Sequence, residues 1–180
     1  MLGGYVAREK SRVLPKFISK VPFFLGLTIL IVVVAMTTCG LGETELPFET
    51  IERSDYGDYS IREPRVVLVT SQDDIDRLEG LLSQAALEQL AELDFEQYFA
   101  IVAFRGTQAT SGYDTIIERI TRQGDKIVVY VQFWEPSPDY VVLDVVTSPY
   151  HLVKVRRDDD VSQKTELTFQ SRIVTPTPPF

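Results

Sequence analysis

A chain of 180 residues with 44% hydrophobic residues predicts one folded domain with a well-filled core. Its net charge of −8 is unevenly distributed. The first 38 residues carry five cations against one carboxylate, a net charge of +4, so Cys39–Phe180 carries −12. This acidic region, called the body below, repels phosphate backbones, which argues against nucleic-acid binding.

The N-terminal region predicts a membrane segment. Residues 1–20 hold the five cations and form a basic cytoplasmic region. Residues 21–42, VPFFLGLTILIVVVAMTTCGLG, contain no charged residue and are long enough to cross the hydrocarbon core as a helix of about 20 residues. Because the cations lie on the N-terminal side, the body is predicted to face the extracytoplasmic side of the cell membrane.

Cys39, the single cysteine, lies near the end of this segment and is the candidate lipidation site. The residues before it, Met36-Thr37-Thr38, loosely match the pattern that precedes the acylated cysteine of bacterial lipoproteins. Two interpretations stay open, a lipid anchor on Cys39 and an uncleaved transmembrane helix, with a cleaved, secreted form as the third. One cysteine excludes an internal disulfide and a cysteine-based metal site, and no cofactor or metal is predicted.

The body divides into an acidic spacer at 43–49, one domain at 50–173 and a proline-rich tail at 174–180. In the domain, Arg65–Thr70 (RVVLVT) predicts a strand buried on both faces. Ser71 with Asp74 then predicts the start of a helix whose apolar side chains recur every three or four residues up to Ala85. Gly80 weakens this helix, and a second helical turn is expected from Gln84 to Leu93.

The remaining segments predict strands rich in valine, isoleucine, tyrosine and phenylalanine: YFAIVAFR, YDTIIERIT, KIVVYVQFW, YHLVKVR and TELTFQSR. A turn at Arg122–Lys126 joins the second to the third, with Gly124 able to take a positive φ. In KIVVYVQFW both faces are apolar, which predicts a helix against one face and a further layer against the other. The predicted fold is α+β, a single mainly antiparallel sheet with one helical segment packed on it, preceded by the N-terminal membrane or signal helix.

The glycine- and hydroxyl-rich segment RGTQATSGY (Arg105–Tyr113) is the first candidate site. It lacks the lysine and the following helix of a phosphate-binding loop. A hydrolase would use Ser111 as nucleophile and His151, the single histidine, as base, but Ser111 lacks the G-x-S-x-G turn. A lone histidine at a strand start is more often a partly buried, hydrogen-bonded side chain.

The order of motifs from FRG through TSGY and a valine-rich strand to a proline loop and TSPYHLVKV resembles the C-terminal domain of the protease complex subunit PrcB family. The resemblance covers about Thr50 to Arg157. The matching family-motif positions are Gly106, Thr110, Gly112, Tyr113, Pro138, Thr147, Pro149 and Tyr150. At Ser111 the family usually has glycine.

The resemblance implies a non-catalytic, membrane-tethered domain that binds a protein partner, such as a surface protease or another membrane complex. The family-motif residues other than Pro138, together with His151, are the candidate partner-binding residues. The alternatives are a glycan- or small-ligand-binding domain using Trp134, Tyr140 and Tyr150 as a stacking surface, and the Ser111/His151 hydrolase. We also expect Gly112–Tyr113 to pack against Pro149–His151, with the Tyr113 hydroxyl hydrogen-bonded.

Overall fold

A computed structural model describes residues 42–157, 161 and 164–176 of the chain. The basic segment 1–20, most of the predicted membrane segment 21–42 with Cys39, and the last four residues of the tail lie outside them. In the described part of the chain, no helix is long and apolar enough to cross a membrane.

The described residues form two four-stranded sheets. The strands are β1 (Thr44–Glu45), β2 (Phe48–Ser54), β3 (Arg65–Val69), β4 (Tyr98–Phe104), β5 (Asp114–Gln123), β6 (Lys126–Trp134), β7 (Tyr150–Arg156) and β8 (Glu166–Val174). The first sheet has the order β1-β5-β6-β8 and the second the order β2-β7-β4-β3. Neighbouring strands are antiparallel except β6 and β8, which run parallel.

The prediction of a single sheet is therefore wrong, although the α+β character and the mainly antiparallel pairing are confirmed. The β5–β6 hairpin turns at Gly124, which has a φ of +59° as predicted. This hairpin pairs with β1 and β8 and not with β4 or β7. Part of the sequence predicted as spacer also lies within the sheets: Thr44 and Glu45 pair with β5, and Leu46 is buried.

A hydrophobic core fills the space between the two sheets. Alternate residues of β6, from Ile127 to Phe133, meet alternate residues of β4, from Phe99 to Ala103. The residues between them on β6, from Val128 to Trp134, are only half-buried. The helices of the described residues pack on the other sheet and leave this face of β6 uncovered, so the predicted position of the helical segment against β6 is wrong.

Two short helices cover the outer face of the second sheet. The first, α1 (Gln72–Ile75), continues as a 3-10 turn over Asp76–Leu78, and the second, α2, spans Gln84–Ala91. Between them lies Gly80, with a φ of +75°, at the predicted break. Their buried side chains contact Ala100, Val102, Phe104 and Leu152, so β4 and β7 are buried on both faces.

The strand β3 lies at the edge of the second sheet and not at its centre. Arg65 is exposed and Val66–Leu68 are half-buried, so the prediction of a strand buried on both faces is wrong for β3. The predicted helix start is confirmed, with Ser71 as the N-cap. Its hydroxyl, however, bonds Asp74 Oδ2 at 3.2 Å, and the same oxygen accepts the Thr70 N–H at 2.9 Å.

Candidate functional site

The corner at residues 105–113 is joined to the segment before β7 by main-chain and side-chain hydrogen bonds. Gln108 and Thr147 exchange two main-chain hydrogen bonds of 2.8 and 3.0 Å. The Thr147 hydroxyl donates to the Thr110 carbonyl oxygen at 2.9 Å. The Pro149 carbonyl oxygen accepts the Arg105 N–H at 2.9 Å. The corner residues Arg105–Thr110 therefore pair with Thr147–Pro149, mainly through the backbone, whereas the packing of Gly112–Tyr113 against Pro149–His151 stays a prediction.

Two glycines of the family motif have backbone conformations that other residues rarely adopt. Gly106 has a φ of +88°, and a Cβ atom there would lie 2.8 Å from the Arg62 carbonyl oxygen. Gly112 has a φ of +92°, and a Cβ atom there would lie 3.1 Å from Pro136 Cβ and 3.3 Å from Val142 Cγ1. Both positions combine a left-handed conformation with a close approach, which is why the corner requires glycine there.

A run of exposed apolar side chains lies against this corner. We call residues 140–146, Tyr-Val-Val-Leu-Asp-Val-Val, the apolar loop. Its side chains are exposed except for that of Val142, and Val141 and Leu143 are 100% and 69% exposed. Leu143 fixes the loop to the corner: its N–H donates to Ser111 Oγ at 2.9 Å, and its carbonyl oxygen accepts the Ser111 N–H at 3.0 Å. The corner thus holds an apolar surface towards solvent.

A buried arginine lies beneath the start of the segment that carries the loop. The Arg105 side chain is 10% exposed and forms an ion pair with Glu135, the first residue after β6. Its guanidinium carbon lies 4.6 Å from the centre of the Phe133 ring and 6.0 Å from that of Tyr113. These contacts stabilise the buried charge, and they hold Glu135 at the point where the chain leaves β6.

His151 is a structural residue that connects the two sheets. It is 4% exposed on β7, and its Nδ1 accepts the Ile117 N–H of β5 at 2.9 Å. Because Nδ1 accepts, the ring proton lies on Nε2, which donates to Thr50 Oγ1 at 2.9 Å. Burial, with a smaller effect from Arg53, lowers the pKa of His151 to about 4. The predicted partly buried, hydrogen-bonded histidine is confirmed.

Ser111 and His151 do not form a nucleophile and base. Both nitrogen atoms of His151 are hydrogen-bonded to Ile117 and Thr50, and Ser111 Oγ accepts the Leu143 N–H. A general base must reach the proton that it removes, and the Nδ1 lone pair that would do so is already occupied. In the described part of the chain, no three His, Cys, Asp or Glu side chains are grouped to hold a metal ion.

One of the three aromatic residues predicted to form a stacking surface is not exposed. Tyr150 is fully buried, so it cannot stack on a ligand. Its hydroxyl donates to Glu52 and accepts the Ser83 N–H at 3.2 Å, which connects β7 to the start of α2. Burial, followed by the hydrogen bond to Glu52, raises the pKa of Tyr150. Trp134 is half-buried and Tyr140 is exposed.

Most of the candidate partner-binding residues support the surface rather than form it. Five of the candidate partner-binding residues are buried: Gly106, Thr147, Pro149, Tyr150 and His151. Tyr113 is half-buried as predicted, but its hydroxyl has no hydrogen-bond partner among the described residues, contrary to the prediction. The exposed aliphatic side chains of the loop are absent from the predicted site: Val141, Leu143, Val145 and Val146. An apolar run directly after a proline-rich loop is a signal that could have indicated them.

Comparison with known proteins supports the resemblance seen in the sequence. Residues 99–156 match the family described as PrcB C-terminal. The predicted resemblance to the PrcB family is thus confirmed. The match runs from β4 to the end of β7, so it contains the corner, the apolar loop and Arg105, and it covers less than half of the 180 residues. It indicates an accessory role in a protease complex. Neither a curated protein nor a solved structure matches the chain significantly.

Proposed function

We propose that this protein is a membrane-tethered, extracytoplasmic accessory domain that binds a protein partner, a protease or a component of its complex, through the apolar loop. The observation that carries the proposal is the exposure of five apolar side chains within seven consecutive residues: Tyr140, Val141, Leu143, Val145 and Val146. Contiguous apolar surface on a folded domain is typical of a protein-binding site.

The contacts that hold the apolar loop in place support a binding role. A surface that binds a partner tightly is more effective when it is already ordered, because less conformational entropy is lost on binding. Here the corner holds the loop through Leu143 and Thr147, and the buried Arg105 fixes its N-terminal approach. Two further exposed aromatic residues, Tyr56 and Tyr59, lie on the neighbouring segment that bonds to Ser148 and Thr107. Tyrosines are enriched in protein interfaces.

The binding proposal is tested by co-purification of the full chain from solubilised membranes. Leu143→Asn replaces the exposed apolar side chain by a polar one but keeps the two hydrogen bonds that the main chain of residue 143 forms with Ser111. Ala85→Asn, at an exposed position on α2, is the control. We expect one identified protease-complex protein to co-purify with the parent and with Ala85→Asn, and to be reduced at least about tenfold with Leu143→Asn. Equal recovery with all three chains would exclude the apolar loop as the binding site.

The location is tested separately. The sequence supports an outward-facing body through the uncharged segment 21–42 and the cations that precede it. Protease added to intact spheroplasts is expected to digest the body, and full protection would contradict the proposed topology. Cys39→Ser distinguishes the anchors: loss of acyl labelling with retained precursor supports a lipid anchor, whereas no change supports an uncleaved transmembrane helix.

A further inference from the structure

Among the described residues, the main chain of the apolar loop is hydrogen-bonded only at Tyr140 and Leu143. The N–H and carbonyl groups of Val141, Val142, Asp144, Val145 and Val146 form no hydrogen bond with the described residues. The Tyr140 N–H donates to the Ser137 carbonyl oxygen at 2.9 Å, and Leu143 is bonded to Ser111 through both its N–H and its carbonyl oxygen. The loop therefore exposes two kinds of group at once, apolar side chains and free main-chain donors and acceptors.

The composition of the loop suits an extended conformation. Four of its seven residues are valine, which favours the β region because branching at Cβ restricts the side chain. An exposed run of β-forming residues with free main-chain groups has the properties of an unpaired edge strand, which pairs readily with an added strand. Free edges of this kind are usually protected, for instance by a lysine or a proline, and 141–146 contains neither.

The charges around the loop define its partner further. Asp139 precedes the loop and Asp144 lies within it; both are exposed, and neither forms an ion pair with a described residue. The loop itself contains no lysine or arginine. Two unpaired carboxylates beside an apolar run are complementary to an apolar segment that carries lysine or arginine. The same carboxylates repel anionic lipid headgroups, so a protein segment fits this surface better than a membrane does.

We propose that residues 141–146 bind an extended apolar segment of the partner, flanked by lysine or arginine, which adds to the loop as a β-strand. This inference rests on the proposed function and specifies its mode. Main-chain hydrogen bonds give the added strand its affinity, and the exposed side chains with Asp139 and Asp144 select its sequence.

The experiment places a photo-cross-linking amino acid at Val141, the fully exposed position, in the full chain in its own cells. Mass spectrometry then identifies the partner peptide attached to it. We expect the cross-links to fall in one apolar segment with a lysine or arginine within a few residues. Cross-links in acidic or helical surfaces of the partner would overturn the inference but leave the proposed function intact. A complete absence of protein cross-links would contradict both.

The cross-linked segment is then synthesised as a peptide and its binding to the purified full chain is measured by fluorescence anisotropy. Methylation of alternate amide nitrogens tests strand addition, because only one alternate set can face the loop. We expect one set to weaken binding at least about tenfold and the other to have little effect. The double variant Asp139→Asn, Asp144→Asn is expected to weaken binding of the basic peptide and to raise its affinity for a variant peptide with glutamate flanks.

Two results would overturn the proposal at this stage. One is equal binding of both methylated sets, which would mean that the main chain takes no part. The other is flotation of the full chain with vesicles of phosphatidylglycerol and phosphatidylcholine that is stronger than with phosphatidylcholine alone and is lost in Leu143→Asn, which would assign the loop to a lipid surface.

Discussion

His151 on β7 and Ile117 on β5 join the two sheets through one hydrogen bond, in which the Ile117 N–H donates to His151 Nδ1 over 2.9 Å. The bond is buried, and it requires the neutral imidazole because a protonated Nδ1 cannot accept. The β5 strand has a register shift between Ile117 and Arg119, so the histidine pairs with the main chain where the ladder is irregular.

Stability is expected to fall as the pH is lowered from about 6.5 to about 4. The folded-state pKa of His151 is about 4, below the value of 6.5 for a free histidine, so in this range the unfolded chain binds a proton that the folded chain does not. The loss approaches about 3 kcal/mol for one site. Denaturant unfolding at several pH values measures it. His151→Gln is expected to show a flatter dependence in this range, and identical slopes for both chains would contradict the assignment.

Removal of the Tyr150 hydroxyl is expected to destabilise the domain by about 1–2 kcal/mol, because Tyr150→Phe leaves the Ser83 N–H without this acceptor and Glu52 with the Ser83 hydroxyl alone. Tyr113→Phe is the matched control. The Tyr113 hydroxyl has no partner among the described residues, so the same substitution there is expected to change stability by less than about 0.5 kcal/mol. Thermal unfolding of the two variants compares them directly. Equal losses would show that the hydroxyl of Tyr113 is bonded in solution.

Gly112→Val is expected to destabilise the domain by roughly 1–3 kcal/mol. Its φ of +92° is a conformation that a β-branched residue adopts only with strain. The new side chain would also meet Pro136 and Val142. Gly42→Val serves as the control, because a Cβ atom at Gly42 meets no other described residue within 4 Å. Unfolding midpoints that are equal for the two variants would contradict the role of the corner.

The sequence predicted the parts of the fold that depend on local patterns. The strands β4 to β7, the break at Gly80 and the turn at Gly124 all follow from periodicity and glycine placement. The division into two sheets depends on which strands pair over long distances, and β6 with β8 or β1 with β5 leave no local signature. The short β1 lies within the predicted spacer, because two strand residues are too few to show alternation.

For the candidate site, the sequence predicted the residues that shape the backbone of the corner but not the exposed residues of the apolar loop. Glycines and prolines such as Gly112 and Pro149 restrict the backbone and are visible in a sequence. The exposure of a side chain is not visible in a sequence, because it depends on which residues the rest of the chain covers. Residues 141–146 have the composition of a strand, and only the absence of a pairing strand among the described residues leaves them in solvent.

Substitution of Ser111 distinguishes two roles for this residue, a hydrogen-bond partner that holds the apolar loop and a catalytic nucleophile. Ser111→Ala removes the acceptor of the Leu143 N–H but keeps the bond from the Ser111 N–H to the Leu143 carbonyl oxygen. We expect the overall stability to change by no more than about 1 kcal/mol and amide exchange at Leu143 to accelerate about fivefold to tenfold. Ser111→Thr keeps a hydroxyl and is expected to exchange like the parent. If Ser111 were instead a nucleophile, the alanine variant would lose an ester-hydrolysing activity by several orders of magnitude. Unchanged amide exchange at Leu143 together with such a loss of activity would show that Ser111 is a nucleophile and does not hold the loop.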